Sequence, residues 1–122
     1  MKASRDLIRL LDPRSVVVVG ANEKEGHPGR IVFEMLRASG RILYAVNPAK
    51  TEVLGQSSYA RISDLPPDID LAVITTAARA AVEAAEQCAR HGIPYIIVMA
   101  GGFGETGEQG AALEARLRAI PA

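Results

Sequence analysis

The sequence of 122 residues has few aromatic side chains, one cysteine and no excess of charge of either sign. Aromatic residues make up 4% of the chain and tryptophan is absent, which argues against the stacking platforms that bind single-stranded nucleic acid. Fourteen basic and fourteen acidic residues give a net charge of zero. We therefore expect neither nucleic acid nor an anionic membrane surface to be a partner.

The single cysteine, Cys88, excludes an intrachain disulfide and cannot build a zinc site. No apolar run is long enough to span a bilayer, and the first residues do not resemble a secretory signal. A chain of this length is one domain at most. These absences predict a cytoplasmic protein of one domain.

Short apolar runs alternate with segments of helical spacing, and this alternation predicts the fold. Runs at 16–19, 42–46, 71–75 and 95–99 are typical of buried parallel strands. Helices are predicted at 4–11, 28–39, 78–91 and from Thr106, whereas 49–68 shows only one short strand near 58–60. The order predicts an α/β, Rossmann-like, doubly wound parallel sheet in three layers, with residues 1–122 as one domain. A last helix normally leads into another strand, so we expect the N-terminal part of a longer protein.

The most informative stretch is VVVVGANEKEGHPG at 16–29, in which a strand leads into three glycines and a helix. Glycine lets backbone N–H groups approach a ligand, and a helix N-terminus adds unpaired N–H groups and a partial positive charge. The stretch therefore predicts a phosphate-binding loop. Its spacing, G-x5-G-x2-G, differs from the dinucleotide pattern G-x-G-x2-G, and a loop whose glycines serve only its turns is the alternative.

The end of the second predicted strand bears on the kind of nucleotide. Ligands of such sheets bind beyond the carboxyl ends of the strands, and an NAD site usually has an acidic residue after the second strand. Here Asn47 and Pro48 stand at that place, and Lys50 follows. The missing acid and the nearby ammonium group favour a phosphorylated ribose. A solvated surface lysine is the alternative role for Lys50.

The sequence contains no catalytic constellation. His91 precedes Gly92 at the end of a predicted helix, where a histidine suits the C-cap. His27 is either a donor to a ligand phosphate or a turn residue before a proline. Cys88 is expected to pack among alanines, and Thr75 or Thr76 to cap the helix that follows them.

Taken together, these motifs resemble the CoA-binding domain of NDP-forming acyl-CoA synthetases and of the succinyl-CoA synthetase α-subunit. The resemblance runs from about Leu11 to the end of the chain. The matching segments are VVGAN at 18–22 with Gly26 and Gly29, YAVNP at 44–48, EVLG at 52–55, Tyr59, DLP at 64–66, DLAVI at 70–74 and AGGF at 100–103.

The resemblance implies that CoA lies across the carboxyl edge of the sheet, with Lys50 at the place of a CoA-binding lysine of the family. Backbone N–H groups and a lysine suit phosphate groups. The resemblance and the strand ends together assign the following residues to the CoA site: Gly20, Asn22, Glu25, Gly26, His27, Pro28, Gly29, Asn47, Pro48, Lys50, Thr75, Met99, Ala100 and Gly101.

In that family an acid is joined to CoA with a nucleoside triphosphate through a phosphohistidine. The nucleotide-grasp and phosphohistidine parts belong to further domains or a partner subunit, and neither histidine here matches the phosphohistidine motif. We therefore expect this chain to bind CoA and not to catalyse by itself. The alternatives are a regulatory domain of a protein lysine acetyltransferase, an NAD(P)-binding Rossmann domain and a stand-alone CoA-binding protein.

Overall fold

A computed structural model of the protein describes residues 12–99, which form a six-stranded sheet with a helix on each face. The strands lie in the order β3-β4-β2-β1-β5-β6. The elements in chain order are β1 (Ser15–Val19), α1 (Pro28–Ala38), β2 (Ile42–Val46), β3 (Glu52–Val53), β4 (Gln56–Tyr59), a 3-10 helix (Ile62–Asp64), β5 (Leu71–Ile74), α2 (Ala78–Arg90) and β6 (Tyr95–Val98).

Strand β1 lies in the middle of the sheet and pairs in parallel with β2 and with β5. Its four consecutive valines are almost completely buried. Alternate side chains of a strand point to opposite faces. Accordingly, Val17 and Val19 pack toward α2, whereas Val16 and Val18 pack toward α1. A continuous β-branched run is what a strand covered on both faces requires.

The two helices cover the two faces with different side chains. On α1, Phe33 is fully buried against Val18 and Val53. On α2 the buried side chains are small, with Ala81 and Ala85 fully enclosed, so this helix can approach the sheet closely. The three-layer Rossmann-like arrangement predicted from the sequence is therefore confirmed within residues 12–99.

The prediction of a wholly parallel sheet is wrong at one edge, because β3 runs antiparallel to β4 and makes the sheet mixed. Leu54 and Gly55 form the turn between them with φ of +50° and +81°. Tight hairpin turns of this kind need positive φ at both positions, where glycine and asparagine are usual. A leucine there hides the turn from pattern reading, which is why 49–68 was predicted to be mostly irregular.

The other predicted strands and helices within residues 12–99 agree with the structure to within one residue at each end, and the short strand near 58–60 is observed as β4. His91 is the C-cap of α2, as predicted. The predicted helices at 4–11 and after Thr106 lie outside the described residues. Within the described range, no helix has the length and hydropathy needed to cross a membrane.

Candidate functional site

The carboxyl ends of four parallel strands meet at one edge of the sheet, which we call the carboxyl edge. The ladder continues one residue past the strands: Gly20 N–H donates to Val46 O, Thr75 N–H to Val19 O and Met99 N–H to Ile74 O, at 2.8–2.9 Å. The structure thus brings together the predicted site positions that follow β1, β2, β5 and β6. Ala100 and Gly101 were assigned to the same edge but lie outside the described residues.

A very close contact joins the end of β1 to the start of α1. A Cβ atom placed on Gly29 would lie 2.1 Å from the carbonyl oxygen of Gly20, so no larger residue fits at Gly29 without a backbone shift. Gly20 in turn has φ of +92°, and a Cβ there would lie 2.8 Å from Thr75 Oγ1 and from Thr76 Cγ2. These two glycines therefore serve the packing of helix and strands around the edge.

The N-terminus of α1 satisfies its own N–H groups. His27 is the N-cap, and its Nδ1 accepts a hydrogen bond from Gly29 N–H at 2.9 Å. Pro28 has no N–H, while Arg30 and Ile31 both donate to the His27 carbonyl oxygen. Because Nδ1 is an acceptor here, the ring proton is on Nε2. The predicted contact of His27 with a phosphate stays a prediction, since the ring already has this structural role.

Two asparagines shape the loop between β1 and α1. Asn22 Oδ1 accepts from Lys24 N–H at 2.7 Å, which is a local turn bond. Asn47 Nδ2 donates to Ala21 O at 2.9 Å, and its Oδ1 accepts from Ala49 N–H at 2.8 Å. Asn47 therefore connects the end of β2 to the loop at 20–27 between β1 and α1, which we call the glycine loop. The exposed N–H groups of Glu25 and Gly26 have no acceptor among the described residues, so they remain open to a ligand.

Lys50 lies beside this loop but its ammonium group is paired. Lys50 Nζ is 3.2 Å from Glu23 Oε1, and the other carboxylate oxygen of Glu23 accepts from Leu54 N–H at 2.8 Å. The hydrogen bond from Leu54, followed by that from Lys50, lowers the pKa of Glu23. Glu23 was not among the predicted site residues, because a single glutamate in a loop carries no motif.

The N-terminus of α2 differs from that of α1 because Ala77, its N-cap, offers no side-chain acceptor. The predicted cap by Thr75 or Thr76 is therefore wrong. Thr75 is buried and its hydroxyl donates to Val19 O at 3.0 Å, which closes the sheet ladder. Thr76 Oγ1 is buried and, within residues 12–99, has no hydrogen-bond partner.

A crevice of about 270 Å³ opens beside Thr76, between the ends of β1 and β2, the 3-10 helix and the first turns of α2. Pro48, Arg61 and Gln87 line it. Its volume lies just below the range of about 300–1,000 Å³ for small-molecule sites, so it has room for only part of a cofactor. Arg61 and Gln87 were missed by sequence reading because they come from separate elements with no shared motif.

Within the described residues, the cysteine and the possible metal ligands bear on whether covalent or metal chemistry is available. Cys88 is buried, and burial raises the pKa of its thiol to about 12, so it stays protonated and unreactive. Residues 12–99 contain no group of histidine, cysteine, aspartate and glutamate side chains that could hold a metal ion.

A Rossmann-like sheet with close strand–glycine–helix packing and an open carboxyl edge defines the class of domains that bind nucleotide cofactors. Residues 14–121 match the family model described as CoA binding domain, and the chain belongs to that family. Coenzyme A is accordingly its cofactor.

The chain is 38% identical over 109 residues to the ADP-forming acetate–CoA ligase I of Archaeoglobus fulgidus, covering 89% of this chain and 16% of the relative. A crystal structure of a Pyrococcus horikoshii protein matches with a TM-score of 0.86 at 33% identity, covering 93% of this chain and 26% of that one.

The dinucleotide-forming acetyl-coenzyme A synthetase 1 of Ca. Korarchaeum cryptofilum, in its apo form, matches with a TM-score of 0.81 at 30% identity, covering 91% of this chain and 24% of that chain. The chain thus spans about a sixth to a quarter of these relatives' length, and it is homologous to the CoA-binding part of NDP-forming acid–CoA ligases.

Proposed function

We propose that this chain supplies the CoA site of an NDP-forming acid–CoA ligase, whose remaining steps are carried out by other domains or a partner subunit. The observation that carries the proposal is the carboxyl edge, where the loop after β1, Lys50 after β2 and the start of α2 after β5 follow neighbouring parallel strands, and where a crevice opens beside Thr76. The ligases among its relatives have the same domain as a minor part of a longer protein.

The groups at the edge suit a long anionic cofactor that binds in an extended form. The open donors are the N–H groups of Glu25 and Gly26 and the uncapped first turn of α2. The ammonium group of Lys50 lies beside them and adds a positive charge, although it is paired with Glu23 in the free protein. Backbone N–H groups and a helix N-terminus favour phosphate groups. The crevice beside Thr76 would hold one end of the cofactor, while the rest lies along the open edge.

The loop between β1 and α1 contributes its shape as well as its donors. Gly20 and Gly29 allow α1 to pack directly against the end of β1, and neither residue places a side chain at the carboxyl edge. The first N–H groups of α1 are already bonded, because those of Gly29, Arg30 and Ile31 all donate to His27. The phosphates are therefore expected to contact the loop and Lys50 rather than the first turn of α1.

Calorimetric titration of the chain with CoA, dephospho-CoA and NAD tests the proposal. We expect CoA to bind and NAD not to bind. Lys50→Ala is expected to weaken CoA binding by about 1–2 kcal/mol, because a charge-assisted contact to phosphate is lost. Equal affinity for CoA and dephospho-CoA would remove the 3′-phosphate from the role of Lys50, and tighter binding of NAD would overturn the assignment.

Lys24→Ala is the matched control. Lys24 is a second exposed lysine of the same region and forms no ion pair with another described residue. If both variants weaken CoA binding equally, Lys50 acts only through the general positive charge of the surface, and its specific contact with phosphate is contradicted.

A further inference from the structure

Glu23 is the most connected side chain of the glycine loop, and the CoA site as described so far does not use it. Its carboxylate contacts Lys50 Nζ at 3.2 Å and Leu54 N–H at 2.8 Å, and its backbone carbonyl accepts from Arg30 at 2.7 Å. It therefore connects the loop to the segment after β2, to the β3–β4 turn and to α1.

The carboxylate is fixed more firmly than the ammonium group that it contacts. Leu54 has φ of +50°, and both of its backbone polar groups are held by side chains: Glu23 takes the N–H, and Arg37 donates to the carbonyl at 2.7 Å. Lys50, in contrast, is half-exposed and has a flexible four-carbon stem. If the pair separates, the lysine moves and the carboxylate stays.

We propose that Glu23 is a specificity-determining residue of the CoA site. Its carboxylate is paired with the Lys50 ammonium group in the free protein, and it competes with the incoming phosphate for that ammonium group. This inference rests on the proposed contact between Lys50 and a phosphate of CoA. After Lys50 turns to the phosphate, Glu23 remains as a negative charge nearby, held by Leu54. Each additional negative charge on the ligand is then disfavoured.

The local charges agree with a fixed carboxylate at this place. The Leu54 N–H and Lys50 lower the pKa of Glu23, so it is ionised throughout the neutral range. Arg30, the other cation beside Glu23, is already paired with Glu34 at 2.7 Å. The Glu23 charge is therefore balanced chiefly by Lys50, and a phosphate that takes Lys50 leaves it unbalanced.

The test is a titration of the wild-type chain, Glu23→Gln, Lys50→Ala and the double variant with CoA and dephospho-CoA at low ionic strength. Glutamine keeps an oxygen that can accept from Leu54 N–H while it removes the charge. We expect Glu23→Gln to bind CoA about two- to fivefold more tightly, since exposed ion pairs are weak. The gain should be smaller for dephospho-CoA. In the Lys50→Ala background it should shrink but not vanish, because the competition for Lys50 is gone while the repulsion between the fixed carboxylate and phosphate remains.

Glu52→Gln is the control, because Glu52 is an exposed carboxylate two residues after Lys50 with no ion pair inside the described range. It should leave CoA affinity unchanged. Weaker or equal binding by Glu23→Gln, with Lys50→Ala still impaired, would overturn this inference and leave the proposed function standing. No effect of Lys50→Ala would contradict the phosphate contact itself.

NMR of the lysine side chains and backbone amides of the wild-type chain gives a second test that needs no variant. On addition of CoA we expect the side-chain signals of Lys50 to shift, while the Leu54 amide keeps its protection from exchange. Loss of Leu54 protection would show that the carboxylate swings away with the lysine, which would overturn the fixed-charge model.

Discussion

The two strand-to-helix junctions of the carboxyl edge differ in whether the N–H groups of the first helical turn have acceptors within the protein. Between β1 and α1, His27 accepts from Gly29 N–H, Pro28 brings no donor, and the first turn is closed. Between β5 and α2, Ala77 has no capping side chain and the Thr76 hydroxyl has no partner among the described residues. The first junction is built for packing, and the second keeps donors available beside the crevice.

The junctions also depend on each other. A Cβ atom on Gly20 would collide with the side chains of Thr75 and Thr76 in the second junction. A Cβ atom on Gly29 would collide with the carbonyl oxygen of Gly20. The glycines that suggest a ligand loop in the sequence are thus explained in part by contacts between the two junctions. This separates the role of the glycines from the question of which atoms hold phosphate.

Breaking the first junction should have the largest effect. Gly29→Ala places a methyl group 2.1 Å from the Gly20 carbonyl oxygen, and we expect it to lower the free energy of unfolding by about 3 kcal/mol, the upper end of overpacking costs. Chemical denaturation measures this. Gly26→Ala is the control, because its Cβ would meet nothing within 4 Å and only its φ of +82° is costly, by about 1–2 kcal/mol. Equal losses for the two variants would contradict the packing role.

The role of the Thr76 hydroxyl, which has no partner among the described residues, can be tested by measuring both the free energy of unfolding and the affinity for CoA. Thr76→Val should leave the unfolding free energy unchanged or raise it by up to about 1 kcal/mol, because a buried polar atom without a partner is removed. The same variant should weaken CoA binding about three- to tenfold if the hydroxyl contacts the cofactor. Thr76→Ser, which keeps the hydroxyl, should bind CoA like the wild type. Normal CoA affinity of the valine variant would show that the hydroxyl has no role in binding.

Closing the second junction in the way the first is closed should have the smallest effect. Ala77 has the extended backbone of an N-cap, φ −62° and ψ 158°, so Ala77→Ser adds an acceptor in the right place. We expect a gain of about 0.5–1 kcal/mol in unfolding free energy, with a slight loss of CoA affinity because the new cap takes N–H groups from the ligand. Ala77→Val adds no acceptor and ranks with alanine as an N-cap residue, so it should show neither change. Tighter CoA binding by the serine variant would contradict a role of these N–H groups.

Much of the fold could be predicted because local pattern and burial agree. The valine run of β1 and the apolar runs of β2, β5 and β6 predict strands covered on both faces, and the helices between them follow from spacing and stop signals. The β3–β4 hairpin could not be predicted, because Leu54 at positive φ is stabilised by Glu23 and Arg37 from distant parts of the chain. A pattern of local preferences does not contain such contacts.

The candidate site was predictable in its location and only partly in its atoms. The ends of parallel strands must meet at one edge, so the positions of Gly20, Asn47, Thr75 and Met99 follow from the strand assignments. The partners of their side chains do not. Lys50 looks free in the sequence, and only the folded chain brings Glu23 from the glycine loop to within 3.2 Å of it.

By itself, the sequence determined the layers, the edge and the family to which the chain belongs, because strand and helix periods and glycine spacing are properties of neighbouring residues. Only the tertiary structure decided which helix N-terminus keeps its donors, which glycines are required by packing, and that Lys50, the lysine proposed for the site, is already paired. Those outcomes depend on distances of a few ångströms between segments far apart in the chain, where hydrogen bonds and close contacts are set by how the elements pack.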